Sequence, residues 1–277
     1  MHRIGIDVGG TILNEDTFET SFFKVSSTPQ DPSEAIRQGI AQMLADHRID
    51  PAHVTFVGHG TTMATNMIIE RRGVSTGLLT TRGFRDVLEI GRQIRPNLFD
   101  YSHQKPEPLV PREHRFEITE RMGATGEVIA ALDMTELETA VLALKAAGVK
   151  AVAICFLHSY RNCAHEKAAR ECVEQLMPEA YVSVSSEVLP EFREYERLST
   201  TVLNAYSGPR MQAYLDRLSS SVQGMGIPQS PYTIHSNGGL MSIPTVRRFP
   251  VRTCLSGPAA GVVGSAVVAK AAGFPNV

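Results

Sequence analysis

The sequence predicts an α/β fold in which buried strands alternate with helices and end in polar, glycine-rich turns. Short apolar runs are typical of strands in a sheet covered on both faces, and they occur at 4–8, 54–57, 77–81 and 150–157. Segments with apolar residues at helical spacing separate them, notably at 33–47, 134–147 and 163–176. Glycines and hydroxyl residues follow several strands, and open α/β sheets bind ligands at such strand ends.

Composition limits the classes of partner and compartment. The 277 residues are long enough for about two domains. Lys plus Arg (27) nearly equals Asp plus Glu (29), which argues against nucleic acid or an anionic membrane as the main partner. No apolar run approaches about 20 residues, so no membrane span is expected. The four cysteines form no C-x-x-C pair, which indicates incidental thiols in a reduced, cytoplasmic protein, with Cys155 and Cys172 structural.

The first strand leads into Asp7, Gly9, Gly10 and Thr11, in the segment IGIDVGGT. The two glycines allow a tight turn whose N–H groups approach a bulky anion, and Thr11 adds a hydroxyl donor. A carboxylate at Asp7 is costly to bury unless a cation meets it, and phosphate-bound magnesium would do so. An ordinary β-turn with Asp7 as a local cap explains this octapeptide equally well.

A second glycine turn follows the strand at 54–57. It presents Gly60, Thr61, Thr62 and Asn66 at the start of a helix, where free N–H groups favour anions or polar substrate atoms. Ordinary helix capping by Thr61 or Thr62 is the alternative. The neighbouring His59 is an acid–base candidate, although a hydrogen-bonded loop histidine is the favoured interpretation.

Two further polar corners lie near the end of the chain. A strand at 232–235 leads into Asn237, Gly238 and Gly239. Ser256 and Gly257 then precede a helix of small residues at 262–272. Small side chains allow another backbone or a ligand to approach closely, and tight helix–sheet packing explains them as well.

Three other segments carry predictions of their own. A hairpin or meander is expected between 115–120 and 127–131, around two glycines. A long helix is expected from 191 to 223, with a break at Gly208–Pro209; the charges at its start, including Arg197, are interpreted as a solvated face. Arg92 and Arg95 are candidates for holding a carboxylate or phosphate, against a default of solvated arginines.

Six segments together make the sequence similar to the amino-terminal part of the hydantoinase A / 5-oxoprolinase family. They cover the whole chain in family order: IGIDVGGT at 4–11, GHGTTMATN at 58–66, GLLTTRGFRD at 77–86, SSEVLPEFREYER at 185–197, SNGGLM at 236–241 and SGPAAG at 256–261. The resemblance implies an actin-like, hexokinase-like ATPase fold of the ribonuclease H-like type, with the first lobe and the start of the second. It implies an N-terminal domain at 1–186 and the beginning of the ATPase domain at 187–277.

The resemblance also implies ATP and Mg²⁺ as cofactors and assigns roles to residues. Asp7 would be catalytic and hold the metal. The nucleotide would lie against Gly9, Gly10, Thr11, Ser256 and Gly257. A small cyclic amide would meet the remaining polar corners, which comprise His59, Gly60, Thr61, Thr62, Asn66, Asn237, Gly238 and Gly239. A partner similar to the hydantoinase B subunit or domain is implied, and we expect an oligomer.

Members of this family use ATP to open cyclic amides such as 5-oxoproline, because phosphorylating the amide oxygen makes it a good leaving group. Related members are subunits of ATP-dependent ketone carboxylases, which is the first alternative. A truncated, non-catalytic member is the second. Two departures favour it: the chain after Thr11 is shorter than the family pattern, and a second Asp-x-Gly-Gly-Thr loop does not occur in these 277 residues. We therefore expect this chain to be inactive alone.

Overall fold

The computed structural model describes residues 1–6, 9–25, 28, 32–94, 99–100, 102, 105–274 and 276. The described strands are β1 His2–Ile6, β2 Gly9–Asn14, β3 Thr20–Lys24, β4 Val54–His59, β5 Thr76–Thr81, β6 Arg115–Ile118, β7 Arg121–Met122, β8 Val128–Ala130, β9 Ala151–Cys155, β10 Tyr181–Val184, β11 Tyr232–Ile234 and β12 Leu240–Ser242. The described α-helices are α1 Pro32–Asp46, α2 Met63–Ile69, α3 Val87–Ile90, α4 Met134–Ala146, α5 Ala164–Leu176, α6 Ser185–Val188, α7 Glu194–Gly224, α8 Ile243–Arg248 and α9 Ser256–Ala271. Single turns of 3₁₀ helix lie at Pro51–His53, Arg112–His114 and Pro250–Thr253.

The chain divides into two compact units. The first comprises Met1–Glu70 with Arg210–Val277, and the second comprises Arg71–Pro209. The domain boundary expected between 186 and 187 rests on the family resemblance and stays a prediction.

The first unit contains a six-stranded mixed sheet in the order β12-β11-β4-β1-β2-β3. Its centre is parallel, with β4 lying between β1 and β11. The outer strands pair antiparallel, β2 with β1, β3 with β2, and β12 with β11. The apolar faces of α1 and of the second part of α7 bury Ile4, Val57 and Ile12 on this sheet, because amphipathic helices stabilise a sheet by covering its apolar side.

The second unit contains a four-stranded parallel sheet in the order β10-β9-β5-β6. Every residue of β5 and β9 is buried, as expected for central strands covered on both faces. Helices α4 and α5 cover the face that includes Leu79 and Ile154. The first part of α7 covers the opposite face, which includes Leu78 and Ala153.

The expected break in the long helix is wrong, because α7 runs unbroken from Glu194 to Gly224 with Pro209 inside it. Packing on both sides of the proline outweighs its lost hydrogen bond. Leu198 and Val202 lie in the core of the second unit, and Met211 and Leu215 lie in the core of the first. The backbone of Gly208 lies so close to the Tyr181 ring that a Cβ would overlap it.

The hairpin or meander expected over 115–120 and 127–131 is also only partly correct. Residues Arg115–Ile118 form β6 and pair parallel with β5 in the main sheet, because Ile118 belongs to the apolar core. The hairpin is shorter and consists of β7 with β8. Gly126 closes its turn with φ of +97°, a conformation that glycine adopts without strain.

Helix α9 is apolar and largely exposed. Its valines Val262, Val267 and Val268 are 72%, 65% and 68% exposed. Lys270 is its one charged residue. Within the described part of the chain, every helix is too short or too polar to cross a lipid bilayer.

Candidate functional site

The polar corners of the first unit meet at one edge of its sheet. His59, the last residue of β4, is in register with Ile6 of β1 on one side and with Thr233 of β11 on the other. Because these three strands are parallel, the segments that follow them leave from the same edge. The arrangement thus places Gly10, which pairs with Ile6, beside the corner that begins at His59 and the turn after Ile234.

The first corner differs from the expected glycine turn. Gly9, Gly10 and Thr11 begin the return strand β2, which pairs with β1 so that Ile6 faces Gly10. A Cβ at Gly10 would overlap the Phe23 ring, so packing within the sheet also requires a glycine here. Thr11 is half-buried, and its hydroxyl has no hydrogen-bond partner among the described residues. Asp7, predicted to be catalytic and to hold the metal, lies outside the described residues.

His59 is a buried residue at the centre of the edge. Its Nε2 lies 2.5 Å from the Tyr214 hydroxyl on α7, and the side chains belong to residues that are 4% and 1% exposed. Burial lowers the pKa of His59 from 6.5 to about 4, because a charged imidazole is costly in a dry environment. The ring is therefore neutral at physiological pH and acts as a hydrogen-bonded partner of Tyr214.

The residues after His59 stabilise one another and the neighbouring strand. The Gly60 amide donates to the Ile6 carbonyl at 2.8 Å. The Thr61 hydroxyl accepts from the amide of Met63, the first residue of α2, at 3.1 Å. It thus satisfies one free N–H of the helix start, whereas the N-cap residue Thr62 makes no side-chain capping bond. Asn66 Nδ2 donates to the Thr62 hydroxyl at 3.4 Å. Thr62 is exposed, so this corner keeps one hydroxyl at the surface.

Ser256 and Gly257 lie against this same corner. The buried Ser256 hydroxyl donates to the Thr61 carbonyl at 2.7 Å, and the Leu255 amide donates to the Thr65 hydroxyl at 3.0 Å. A Cβ on Gly257 would come within 3.2 Å of Thr62 Cγ2. The start of α9 is thereby fixed beside the predicted substrate residues, although the hydroxyl of Ser256 is already engaged.

Asn237, Gly238 and Gly239 form the turn of the hairpin between β11 and β12. The side chain of Asn237 accepts from the Gly239 amide at 3.0 Å, and Gly238 adopts φ of +86°. The Ser236 amide donates to the Arg252 carbonyl at 2.8 Å. Burial and the nearby Arg252 cation lower the pKa of His235. The turn is therefore internally bonded and held next to the segment that leads into α9.

The second unit carries a separate buried polar cluster at the carboxyl ends of its strands. Glu120 accepts from the Thr81 hydroxyl and lies 2.8 Å from His165 Nδ1. The Thr81 hydroxyl in turn accepts from the Leu157 amide at 2.9 Å. This chain of contacts links β5 and the segments that follow β6 and β9 to α5.

Arg197 is 1% exposed, so its interpretation as part of a solvated face is wrong. Its guanidinium donates to the hydroxyls of Ser159 and Ser185, the latter at 2.9 Å, and lies over the Tyr160 ring. Ser185 donates in turn to buried Glu166 at 2.6 Å. A buried charge persists where polar groups satisfy it, and here hydroxyls connect the arginine to a carboxylate.

The remaining sequence predictions concern the cysteines, Arg92 and Arg95. Burial raises the pKa of Cys155 to about 12 and that of Cys254 to about 11, so both are unreactive. Among the described residues no three His, Cys, Asp or Glu side chains form a metal-binding group. Arg92 pairs with Glu196, and Arg95 lies outside the described residues.

Sequence reasoning missed several partners at this edge. Tyr214 lies 155 residues from His59 in the sequence. The Thr65 hydroxyl accepts from the Leu255 amide, and the Arg252 carbonyl accepts from the Ser236 amide. No local pattern marks such contacts. Tyr214 could only have been found by asking which buried polar group on the long helix satisfies the histidine.

The fold and this edge define an actin-like ATPase-type α/β protein with its ligand corners at the ends of parallel strands, and comparison with known proteins agrees. The hydantoinase/oxoprolinase N-terminal region matches residues 3–177, and the hydantoinase/oxoprolinase family matches residues 197–277. The chain therefore belongs to the hydantoinase/oxoprolinase family, as the amino-terminal portion of its members.

Two relatives and one solved structure illustrate the match. Caprolactamase subunit alpha of Pseudomonas jessenii is 37% identical over 100% of this chain and 41% of its own. The 5-oxoprolinase of Dictyostelium discoideum is 29% identical over 95% of this chain and 23% of its own. The crystal structure of the ATP-dependent caprolactamase superposes with a TM-score of 0.87 at 35% identity, over 98% of this chain and 41% of the other.

A nucleotide-free acetone carboxylase structure shares the fold, with a TM-score of 0.87 at 24% identity over 98% of this chain and 41% of the other. The expected actin-like fold is confirmed. The chain spans about two fifths of the length of the caprolactamase subunit.

Proposed function

We propose that this chain is the amino-terminal part of an ATP-dependent hydrolase of cyclic amides, of the hydantoinase and 5-oxoprolinase type, and that it is inactive alone. The observation that carries this proposal is the convergence of four glycine corners on one edge of a single sheet. Ligands of open α/β sheets bind at the carboxyl ends of parallel strands, and this edge is such a place.

The described residues fit a phosphate-bearing ligand. The Thr11 hydroxyl has no partner within the described part of the chain, and the Thr62 hydroxyl is exposed, so both are available as donors. We assign the nucleotide to Gly9, Gly10, Thr11, Ser256 and Gly257, and the metal to Asp7. Bound ATP with Mg²⁺ would supply the phosphoryl group that activates the amide.

The remaining corners would orient the cyclic amide. We assign this role to the exposed polar groups of Thr62 and Asn66 and to the turn at Asn237–Gly239. His59 is neutral and buried, so its contribution is to hold the corner that follows it. Negative charge develops on the amide oxygen during the reaction and would be stabilised by hydrogen-bond donors aimed at that oxygen. The backbone N–H groups of these corners would be such donors.

We further propose a protein partner similar to a hydantoinase B subunit or domain, in an oligomeric, cytoplasmic assembly. The names of relatives support a partner, since they include a caprolactamase subunit alpha and an acetone carboxylase beta subunit. The free cysteines fit a reduced compartment.

A binding titration tests the nucleotide site directly. Calorimetry of the purified chain with Mg-ATP is expected to show weak, millimolar binding. Thr11→Val, which keeps the side-chain shape and removes the hydroxyl, should weaken it by about fivefold. Thr17→Val, in an exposed turn of the same unit, is the matched control and should leave the affinity unchanged. Equal affinity for both variants, or no binding by the wild type, would contradict the assignment.

Turnover separates the hydrolase from its closest alternative. The chain alone should release no phosphate from ATP with 5-oxoproline or a hydantoin. The similarity to acetone carboxylase in fold keeps a ketone-carboxylase subunit as the second candidate. In the assembly with its partner, ATP turnover that does not require bicarbonate supports the hydrolase, and strict dependence on bicarbonate and a ketone supports the carboxylase.

A further inference from the structure

The polypeptide from Arg217 to Val277 is strongly basic. It contains five Lys and Arg residues and no Asp or Glu, in a chain whose formal net charge is -2. This segment supplies the turn at Asn237–Gly239 and the start of α9, which are two of the four corners at the sheet edge. A concentration of one charge on one side of a binding site attracts a ligand of the opposite charge. The segment therefore favours an anion at this part of the edge.

Arg252 is a cation of this segment that lies next to the turn. Its carbonyl accepts from the Ser236 amide at 2.8 Å, which fixes its backbone beside the residue that precedes Asn237. Its guanidinium lies over the Phe249 ring, with 4.3 Å between Cζ and the ring centroid. Arg252 is half-buried, and its guanidinium makes no ion pair or hydrogen bond within the described part of the chain. A planar guanidinium held on an aromatic ring keeps its N–H donors free for a planar oxyanion.

His235 adds a neutral N–H donor at the same turn. It follows β11 directly, at the carboxyl end of that strand. The Asn237 amide donates to His235 Nδ1 at 3.0 Å, so this nitrogen carries no proton. The proton of the neutral imidazole is then on Nε2, which has no hydrogen-bond partner among the residues that the structure describes. The lowered pKa of His235, caused first by burial and then by the Arg252 cation, agrees with a neutral ring.

We infer that Arg252 and His235 bind the carboxylate of an acidic cyclic amide, so that the substrate of this site carries a carboxylate on its ring. The guanidinium supplies the positive charge and paired donors, and His235 Nε2 supplies one further N–H. This inference rests on the proposed function, because it names the substrate class for the turn to which we assign the cyclic amide. Both residues determine specificity in this account and take no part in bond breaking.

Two ligands that differ in the carboxylate test the inference on the wild-type chain. 5-Oxoproline and 2-pyrrolidinone share the same lactam ring, and only the first carries a carboxylate. In nitrogen-15 spectra, 5-oxoproline should shift the amides of Ser236–Gly239 and the Nε–H of Arg252. Its affinity should exceed that of 2-pyrrolidinone by about tenfold, and 2-pyrrolidinone should leave the Arg252 Nε–H unshifted. This comparison needs no substitution, so a variant that fails to fold does not protect the inference.

Arg252→Gln removes the charge and should weaken 5-oxoproline binding by about tenfold, with the affinity for 2-pyrrolidinone unchanged. Lys270→Gln is the matched control, because it removes one positive charge from the same basic segment. Lys270 lies near the far end of α9, roughly 20 Å along the helix from Ser256, which is beyond the range of a screened charge at physiological ionic strength. This variant should bind both ligands as the wild type does.

Equal wild-type affinity for the two ligands, including no binding of either, would overturn the inference, and so would equal losses in the two variants. A shift of the Arg252 Nε–H with Mg-ATP but not with 5-oxoproline would also overturn it, by assigning the arginine to a phosphate. If Mg-ATP binds at the glycine corners while the two lactams bind equally, the proposed function survives and the inference fails. If 5-oxoproline is preferred and Mg-ATP does not bind, the carboxylate site stands and the nucleotide assignment fails.

Discussion

The Ser256 hydroxyl donates a 2.7 Å hydrogen bond to the carbonyl of Thr61, 195 residues earlier in the chain. Both residues are buried. This bond joins the start of α9 to the second polar corner, so two segments predicted to face different parts of the ligand are held together by one hydroxyl.

Ser256→Ala should therefore destabilise the first unit. The substitution leaves the buried Thr61 carbonyl without this donor, which typically costs about 1–3 kcal/mol. Urea unfolding followed by circular dichroism measures the change. Ser265→Ala, at an exposed position of the same helix, should change stability by less than about 0.5 kcal/mol. Equal effects would show that the bond contributes nothing.

Arg197→Met should lower stability by about 3 kcal/mol or more. Removing the guanidinium takes a charged donor away from the buried hydroxyls of Ser159 and Ser185. Ser185 then connects buried Glu166 to no cation in this network. The comparison variant is Arg210→Met, on the exposed side of the same helix. The account of the buried network is wrong if both variants unfold at the same urea concentration.

The stability of the chain should fall as the pH decreases from about 6.5 to about 4 because of His59. The folded state holds this ring neutral with a pKa of about 4, whereas the unfolded chain binds the proton near 6.5. His59 therefore leaves the free energy of unfolding unaffected well above pH 6.5. As the pH falls, the unfolded chain gains a proton that the folded state resists, and the free energy of unfolding is about 3 kcal/mol lower by pH 4.

His59→Gln should flatten that part of the pH profile of unfolding free energy. His47→Gln, at an exposed position, should keep the wild-type slope. A wild-type slope that persists in His59→Gln would assign the pH dependence to other groups.

Replacing each of two glycines of α7 by alanine should have opposite effects on the free energy of unfolding. Alanine favours a helix over glycine by up to about 1 kcal/mol, and Gly224 faces open space, so Gly224→Ala should be neutral or stabilising. Gly208→Ala should destabilise by about 1–3 kcal/mol, because its Cβ would overlap the Tyr181 ring. Thermal unfolding of the two variants measures both effects. If Gly208→Ala were more stable than the wild type, the Tyr181 ring would have to move aside at no cost, which would contradict this account of the contact.

The sequence predicted the helices and strands better than the long-range contacts between them. Helices such as Met134–Ala146 and strands such as Ala151–Cys155 show periodicity strong enough to locate them within about two residues. Arg197 was misjudged because its charged neighbours suggested a solvated face, whereas Ser159 and Ser185 receive it inside the protein. Such long-range partners leave no local pattern.

In the candidate site, too, the local segments were predicted and their packing partners were not. The glycine corners were visible in the sequence, and their convergence follows from parallel strand order. What escaped prediction was that Gly10 belongs to a strand and accommodates Phe23. Glycine there serves sheet packing, which sequence cannot distinguish from close approach to an anion.

Chemical-shift mapping with Mg-ATP tests the central claim most directly. The account predicts that millimolar Mg-ATP shifts the backbone amides of Gly9–Thr11, Gly60–Thr62 and Ser256–Gly257 together, with magnesium alone giving smaller changes. Shifts confined to other surfaces of the chain, or none at these three corners, would contradict the proposal that this sheet edge holds a nucleotide.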